Sequence, residues 1–224
     1  MKPALGIFQN RQHAGRELAS ELTQYRDQEN TLVLGIPRGG LPVAYEVAAA
    51  LHLPLDVYVV RKLGMPGHEE YAIGAIASGG VRVLNEEAIG HIFRATDIIE
   101  AVTEREQREL KRREVLYRGD RPLLDPKGKI VLLVDDGLAT GSTMRAAVAA
   151  LRQHGAARII VAVPVAPPET CAELATEADE VICVLEPENF MAVGQFYEDF
   201  DQTTDDEVSE ILARAEDEFG HRHE

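Results

Sequence analysis

The 224-residue chain predicts an α/β fold, a parallel sheet with helices on both faces. Short apolar runs rich in β-branched residues alternate with helical patterns, the order that strand–helix–strand crossovers produce. Several runs are apolar on both faces, as strands covered by helices on either side must be. With 45% hydrophobic and 27% charged residues, a chain of this length buries a core without disulfide or metal staples.

The elements follow in order. An N-terminal helix is expected around Arg11–Tyr25, where Leu18 and Leu22 fall at helical spacing. Strands are expected at Leu32–Ile36, Leu55–Arg61, Ile130–Val134, Arg158–Val165 and Glu180–Leu185. Val43, Val47, Ala48 and Leu51 form one apolar helical stripe, and Met144, Ala147, Val148 and Leu151 form another. Gly64–Leu84 interrupts the alternation with five glycines and two β-like runs, Tyr71–Ala77 and Val81–Leu84, which predict a hairpin with a mobile approach. Thr96–Tyr117 reads as a long helix with Thr96 as its N-cap. Its middle, Thr103–Glu109, is polar all round and is expected to project into solvent. The acidic tail reads as a solvated final helix with a frayed end, where His221 and His223 carry no role. No repeat or linker divides the chain, so 1–224 is expected to be one domain.

Composition narrows the function. Thirty-eight acids against 23 bases give a net charge of −15, which argues against the basic stripe of a nucleic-acid binder. Cys171 and Cys183 make no disulfide framework or paired-thiolate zinc site. No apolar run approaches the roughly 20 residues that span a bilayer. The opening stretch lacks a secretory signal pattern, so a cytoplasmic location away from membranes is expected.

The chemistry concentrates in Val131–Thr143, VLLVDDGLATGST. A buried strand ends in two adjacent carboxylates, Asp135 and Asp136, and a loop of small residues leads into a helix. The N–H groups at that helix start, with the hydroxyls of Thr140, Ser142 and Thr143, make an anion cradle that Gly141 lets the ligand approach closely. Two carboxylates repel a phosphate but suit hydroxyls or a divalent cation beside it. A ribose 5-phosphate satisfies both halves. A Walker-type loop does not fit, because Gly137 to Gly141 is one residue short and Ser142 stands at the lysine position.

VLLVDDGLATGST resembles the ribose-phosphate-binding motif of the type I phosphoribosyltransferases: an apolar strand, two acids, then a phosphate loop. Its ATG portion is closer to the adenine and xanthine enzymes than to the hypoxanthine-guanine enzymes, which carry an acid where this chain has Ala139. Pro37-Arg38-Gly39-Gly40, after the first strand, resembles the family's pyrophosphate loop. The resemblance implies a cis bond between Pro37 and Arg38. Arg61 and Lys62 stand where the family places basic residues before a flexible closing loop, here Gly64–Gly80. Phe190, Phe196 and Tyr197 lie in a segment that loosely resembles a purine-stacking hood.

The resemblance implies a core over about 11–186, with the hood and final helix over about 187–218. It implies Mg²⁺-dependent transfer of ribose 5-phosphate from phosphoribosyl pyrophosphate to a nitrogenous base, releasing pyrophosphate. Catalysis would fall to Asp135, Asp136, Arg61 and Lys62, with Asp135 and Asp136 supporting the metal, directly or through water. Arg38, Gly39, Gly40, Asp135, Asp136, Ala139, Thr140, Gly141, Ser142 and Thr143 would bind the donor. Phe190, Phe196 and Tyr197 would bind the base. The expected partners are the donor and a nucleobase-like acceptor, and a homodimer is compatible. The alternative is a non-catalytic regulator that senses phosphoribosyl pyrophosphate.

Overall fold

The computed structural model describes residues 7–90 and 95–219. Its helices are α1 (Arg11–Ser20), α2 (Gly40–Leu51), α3 (Glu86–Ile89), α4 (Ala95–Arg118), α5 (Ser142–Gln153), α6 (Pro168–Leu174) and α7 (Asp205–Phe219). Its strands are β1 (Thr31–Gly35), β2 (Leu55–Val57), β3 (Val60–Met65), β4 (His68–Ala77), β5 (Val81–Leu84), β6 (Ile130–Val134), β7 (Arg158–Val165) and β8 (Glu180–Leu185). Five strands form a parallel sheet in the order β2-β1-β6-β7-β8. Alternate residues of β6 feed opposite cores. Leu132 and Val134 meet Leu18, Val47 and Leu212 from α1, α2 and α7, whereas Val131 and Leu133 meet Met144, Val148 and Leu174 from α5 and α6. That is the two-residue period of a strand covered on both sides.

The expected strand Leu55–Arg61 is two strands in two sheets. Tyr58 N–H makes a bond to Gly35 O, and Val59 N–H turns instead to Ser78 Oγ at 3.0 Å. A buried polar hub marks the crossing. Asp56 accepts from Val57 N–H, Leu124 N–H and Arg118 Nε, at 2.7, 3.0 and 3.1 Å, and Arg118 Nη2 also reaches Ser78 Oγ. Local apolar pattern does not show this break, because the groups that cause it lie far along the chain.

The hairpin expected from Tyr71–Ala77 and Val81–Leu84 is present, while Gly64–Gly80, expected to be a mobile loop, is mostly strand. β3, β4 and β5 form a three-stranded antiparallel sheet. Its glycines serve close packing as well as turns: a Cβ on Gly74 would collide with Val83 O on the neighbouring strand.

The long helix starts at Ala95, so Thr96 lies in its first turn rather than at its cap. It does not stand in solvent. Ile99, Val102, Glu106 and Leu110 are buried along one face, and α4 packs on β3 and α7. Glu106 occupies an apolar-stripe position because Arg61 meets it there, through Nε at 3.0 Å and Nη2 at 2.6 Å. The acidic tail is docked too, with Val208, Leu212 and Ala215 of α7 buried and most of its acids outward. His221 and His223 lie outside the described residues. No helix among the described residues is long and apolar enough to cross a membrane.

Candidate active site

Strand order creates the site. The order reverses between β1 and β6, and ligands of open α/β sheets bind beyond the strand ends at such a switch point. β1 and β6 pair from Thr31 with Ile130 through Gly35 with Val134, so the loops that follow them lie side by side. Ile36 N–H extends the pairing with a 2.9 Å bond to Val134 O.

The first loop is Pro37–Gly40, and its Pro37–Arg38 peptide bond is cis, as the resemblance implies. It turns directly into α2, with Gly40 N–H bonded to Ile36 O at 3.0 Å. A Cβ on Gly39 would collide with the Asp136 carboxylate, and one on Gly40 would stand 2.9 Å from Asp135 Cα. Only glycine lets this loop lie against the acid pair. Arg38 projects the other way, towards Asp205 at the start of α7.

The second loop begins at the acids. Asp135 and Asp136 directly follow β6, and Leu138 N–H bonds Val165 O at 2.9 Å, pinning the loop to β7. Thr170 Oγ1 of α6 donates to Ala139 O at 2.8 Å, and Thr140 Oγ1 and Ser142 Oγ are 2.9 Å apart. Ala139, Thr140, Ser142 and Thr143 are exposed, and α5 opens at Ser142 with first-turn N–H groups that no helix carbonyl satisfies. Gly141 adopts φ +68° and is buried against Thr170. A β-branched residue strains that backbone by about 1–3 kcal/mol, and its Cβ would also lie 3.0 Å from Thr170 Cγ2. Gly141→Val is therefore expected to weaken ribose 5-phosphate binding at least tenfold, roughly the effect of 1.4 kcal/mol. Ser142→Ala removes one hydroxyl among several donors and should cost only a few-fold. Equal losses in calorimetry would overturn that reading of the loop.

The acid pair is electrostatically loaded. Burial, and then the Asp136 charge, hold the Asp135 carboxyl well above its usual range, against the Asp136 N–H that bonds Asp135 Oδ1 at 2.8 Å. Burial also raises Asp136, opposed by Arg11. Arg11 is the residue that sequence reasoning missed. Its Nε donates to Asp136 Oδ2 at 2.8 Å, its Nη1 to Asp201 O at 2.6 Å, and its guanidinium lies 3.9 Å over the Phe200 ring. A lone arginine opening a helix gives no local signal, and its partner is 125 residues away.

The segment expected to form the hood packs on the N-terminal segment. Phe8 bridges to Tyr197, and Phe8 N–H donates to Phe196 O at 2.7 Å. Tyr197 is buried, and its hydroxyl donates to Asp136 O at 2.6 Å. It braces the acid pair from the hood. Phe190 and Phe196 are half-buried and stacked on each other, with centroids 5.5 Å apart and planes 20° from parallel.

Arg61 and Lys62 point to opposite sides of β3. Arg61 is committed to Glu106 and is not brought to the two loops. Lys62 lines a cleft of about 310 Å³ together with Ser142 and Thr143 of the second loop. Among the described residues, no group of three or more His, Cys, Asp or Glu is placed to hold a metal. Asp135 and Asp136 each keep one carboxylate oxygen outside these hydrogen bonds. That suits Mg²⁺, which commonly takes one or two carboxylates and completes its shell with water and substrate oxygens.

Residues 4–201 match the model of the phosphoribosyl transferase domain. The chain is 46% identical over 213 residues to the "Putative phosphoribosyl transferase Rv0571c" of Mycobacterium tuberculosis, covering 95% of this chain and 48% of that one. The protein carrying the same description as MT0597, from another strain of that species, matches to the same extent. The chain thus spans about half the length of the curated relatives it matches. The crystal structure of TT1426 from Thermus thermophilus is 43% identical, with a TM-score of 0.84 over 93% of this chain and 98% of that one. With two glycine-bearing loops meeting a carboxylate pair at the sheet's switch point, and the domain model matched over most of its length, the chain belongs to the phosphoribosyl transferase family.

Proposed function

We propose that this chain transfers ribose 5-phosphate from phosphoribosyl pyrophosphate to a nitrogenous base of the purine or pyrimidine kind, releasing pyrophosphate. The supporting observation is the contact of Gly39 and Gly40 with Asp136 and Asp135, which puts two anion-suited loops on either side of one pair of acids. Ala139–Thr143 would hold the 5-phosphate with N–H groups and hydroxyls. Asp135 and Asp136 would accept from the ribose hydroxyls, and Arg38–Gly40 would take the pyrophosphate, with the Arg38 guanidinium as a planar donor for phosphate oxygens. Lys62 reaches the phosphate-loop cleft and would add positive charge there.

Asp135 and Asp136 would hold Mg²⁺ when it is bound, and the ion would screen the charge of the departing pyrophosphate. A carboxylate pair below the sugar also stabilises positive charge that develops at the anomeric carbon as the leaving group departs. The stacked Phe190 and Phe196, part of the hood, would offer a flat apolar surface to a base.

The test is pyrophosphate release on mixing the protein with phosphoribosyl pyrophosphate, Mg²⁺ and a panel of bases at saturating donor. Release with one class of base supports the proposal. Donor binding without release under any base would instead favour a sensor of the donor, and absence of donor binding would reject both.

A further inference from the structure

The acidic final helix returns to the site. α7 opens with a capping box, in which Thr204 N–H donates to Glu207 Oε2 at 2.6 Å and Glu207 N–H donates to Thr204 Oγ1 at 3.2 Å. Asp205 is the first residue of that helix, where the partial positive charge of the N-terminus favours an acid. Its Oδ1 lies 3.9 Å from Arg38 Nη1. The same oxygen accepts a 2.7 Å hydrogen bond from the Tyr117 hydroxyl, near the end of α4. Arg38 and Tyr117 therefore face the same carboxylate oxygen, and the tyrosine holds it more closely.

Tyr117 is a constant donor. Its side chain is buried, and burial followed by the Asp205 hydrogen bond pushes its hydroxyl up to about 12. It cannot lose its proton under ordinary conditions. Arg38 keeps 34% of its side chain exposed, so its remaining donors can face an arriving anion.

We propose that Asp205 competes with pyrophosphate for Arg38 and that Tyr117, by binding Asp205, holds this competitor off. The pair would set how tightly Arg38 grips the leaving group, and so how readily pyrophosphate departs. This rests on the reading of Arg38–Gly40 as the pyrophosphate loop. Removing the carboxylate charge removes the competitor. Removing the phenol hydroxyl releases Asp205 towards Arg38. The two changes therefore act with opposite sign, whereas residues that merely supported the fold would both weaken binding.

Titration calorimetry with magnesium pyrophosphate on the whole chain tests this, using Asp205→Asn, Tyr117→Phe and Arg38→Met, with ribose 5-phosphate as the second ligand. Asp205→Asn is expected to tighten pyrophosphate binding roughly two- to fivefold, the range of a partly exposed ion pair. Tyr117→Phe is expected to weaken it by roughly the same factor. Ribose 5-phosphate affinity should change in neither variant, which also shows that both remain folded. Pyrophosphate binding that depends on Arg38 but shifts the same way, or not at all, in the other two variants overturns this proposal alone. Pyrophosphate binding that does not depend on Arg38 overturns the loop assignment as well.

Discussion

Asp135→Asn is expected to make the empty protein more stable at neutral pH while weakening donor binding about ten- to a hundredfold. The affinity loss follows from removing a charge-assisted hydrogen bond to a sugar hydroxyl, about 1.5–3 kcal/mol. The stability gain follows from the raised Asp135 carboxyl, which burial and Asp136 lift well above its unfolded value. A carboxyl raised by folding contributes its stabilisation in full below the unfolded value, near about 3.9. That contribution is lost as pH climbs through the folded value, because the charged form is then buried beside another acid. Thermal unfolding without donor or divalent cation should therefore show the natural protein losing stability across that window. The asparagine variant should show a weaker loss there, since Asp136 still titrates. A variant that is less stable at pH 7 and binds donor with unchanged affinity would refute both the electrostatic account and the ribose assignment.

Arg118→Ala is expected to cost the fold about 3–5 kcal/mol, the range for orphaning one partner of a buried ion pair. Asp56 is 4% exposed and Arg118 8%, so water does not replace the lost guanidinium. Burial raises the Asp56 carboxyl, and Arg118 is the first influence opposing that rise. Without the arginine, the N–H groups of Val57 and Leu124 remain as hydrogen-bond donors to the acid, with the Arg121 charge a smaller influence. Urea unfolding measures the loss, and the double variant Asp56→Asn with Arg118→Met should recover much of it. A loss below about 1 kcal/mol, the scale of an exposed pair, would show that the hub is solvated.

Local pattern was sufficient for three strands of the parallel sheet, two buried on both faces and one half-buried at the edge. Ile130–Val134, Arg158–Val165 and Glu180–Leu185 are bounded in the structure as their apolar runs imply. The expectation of a phosphate loop could be formed for a related reason: the strand, acids, glycine and hydroxyls behind it are contiguous, so one short window holds them all. Long-range contacts were not legible. Leu55–Arg61 looks like one strand, because the Ser78 hydroxyl that redirects Val59 belongs to another turn. Thr103–Glu109 looks solvated because a buried Glu106 makes sense only beside Arg61. Arg61, given a catalytic part by the resemblance, commits its charge to Glu106 of α4 instead. Arg11, Tyr117 and Asp205 carry no motif, and each meets a partner distant in sequence.

The hood bridge carries a consequence for how the molecule is made. Arg11 and Asp201 are 190 residues apart, and the Phe8–Tyr197 bridge closes a loop of similar length. Loop closure of that size is entropically costly and kinetically late. Synthesis proceeds from the N-terminus at about 5–20 residues per second, so both anion-suited loops are translated before residues 190–201 leave the ribosome. For that interval, a nascent chain carries Asp136 without the Asp201 and Phe200 contacts that anchor Arg11 and without the Tyr197 brace. A polyanion captured then would meet an acid pair not yet braced, and the arrival of residues 190–201 is the event that fixes Arg11 and Asp136 in place.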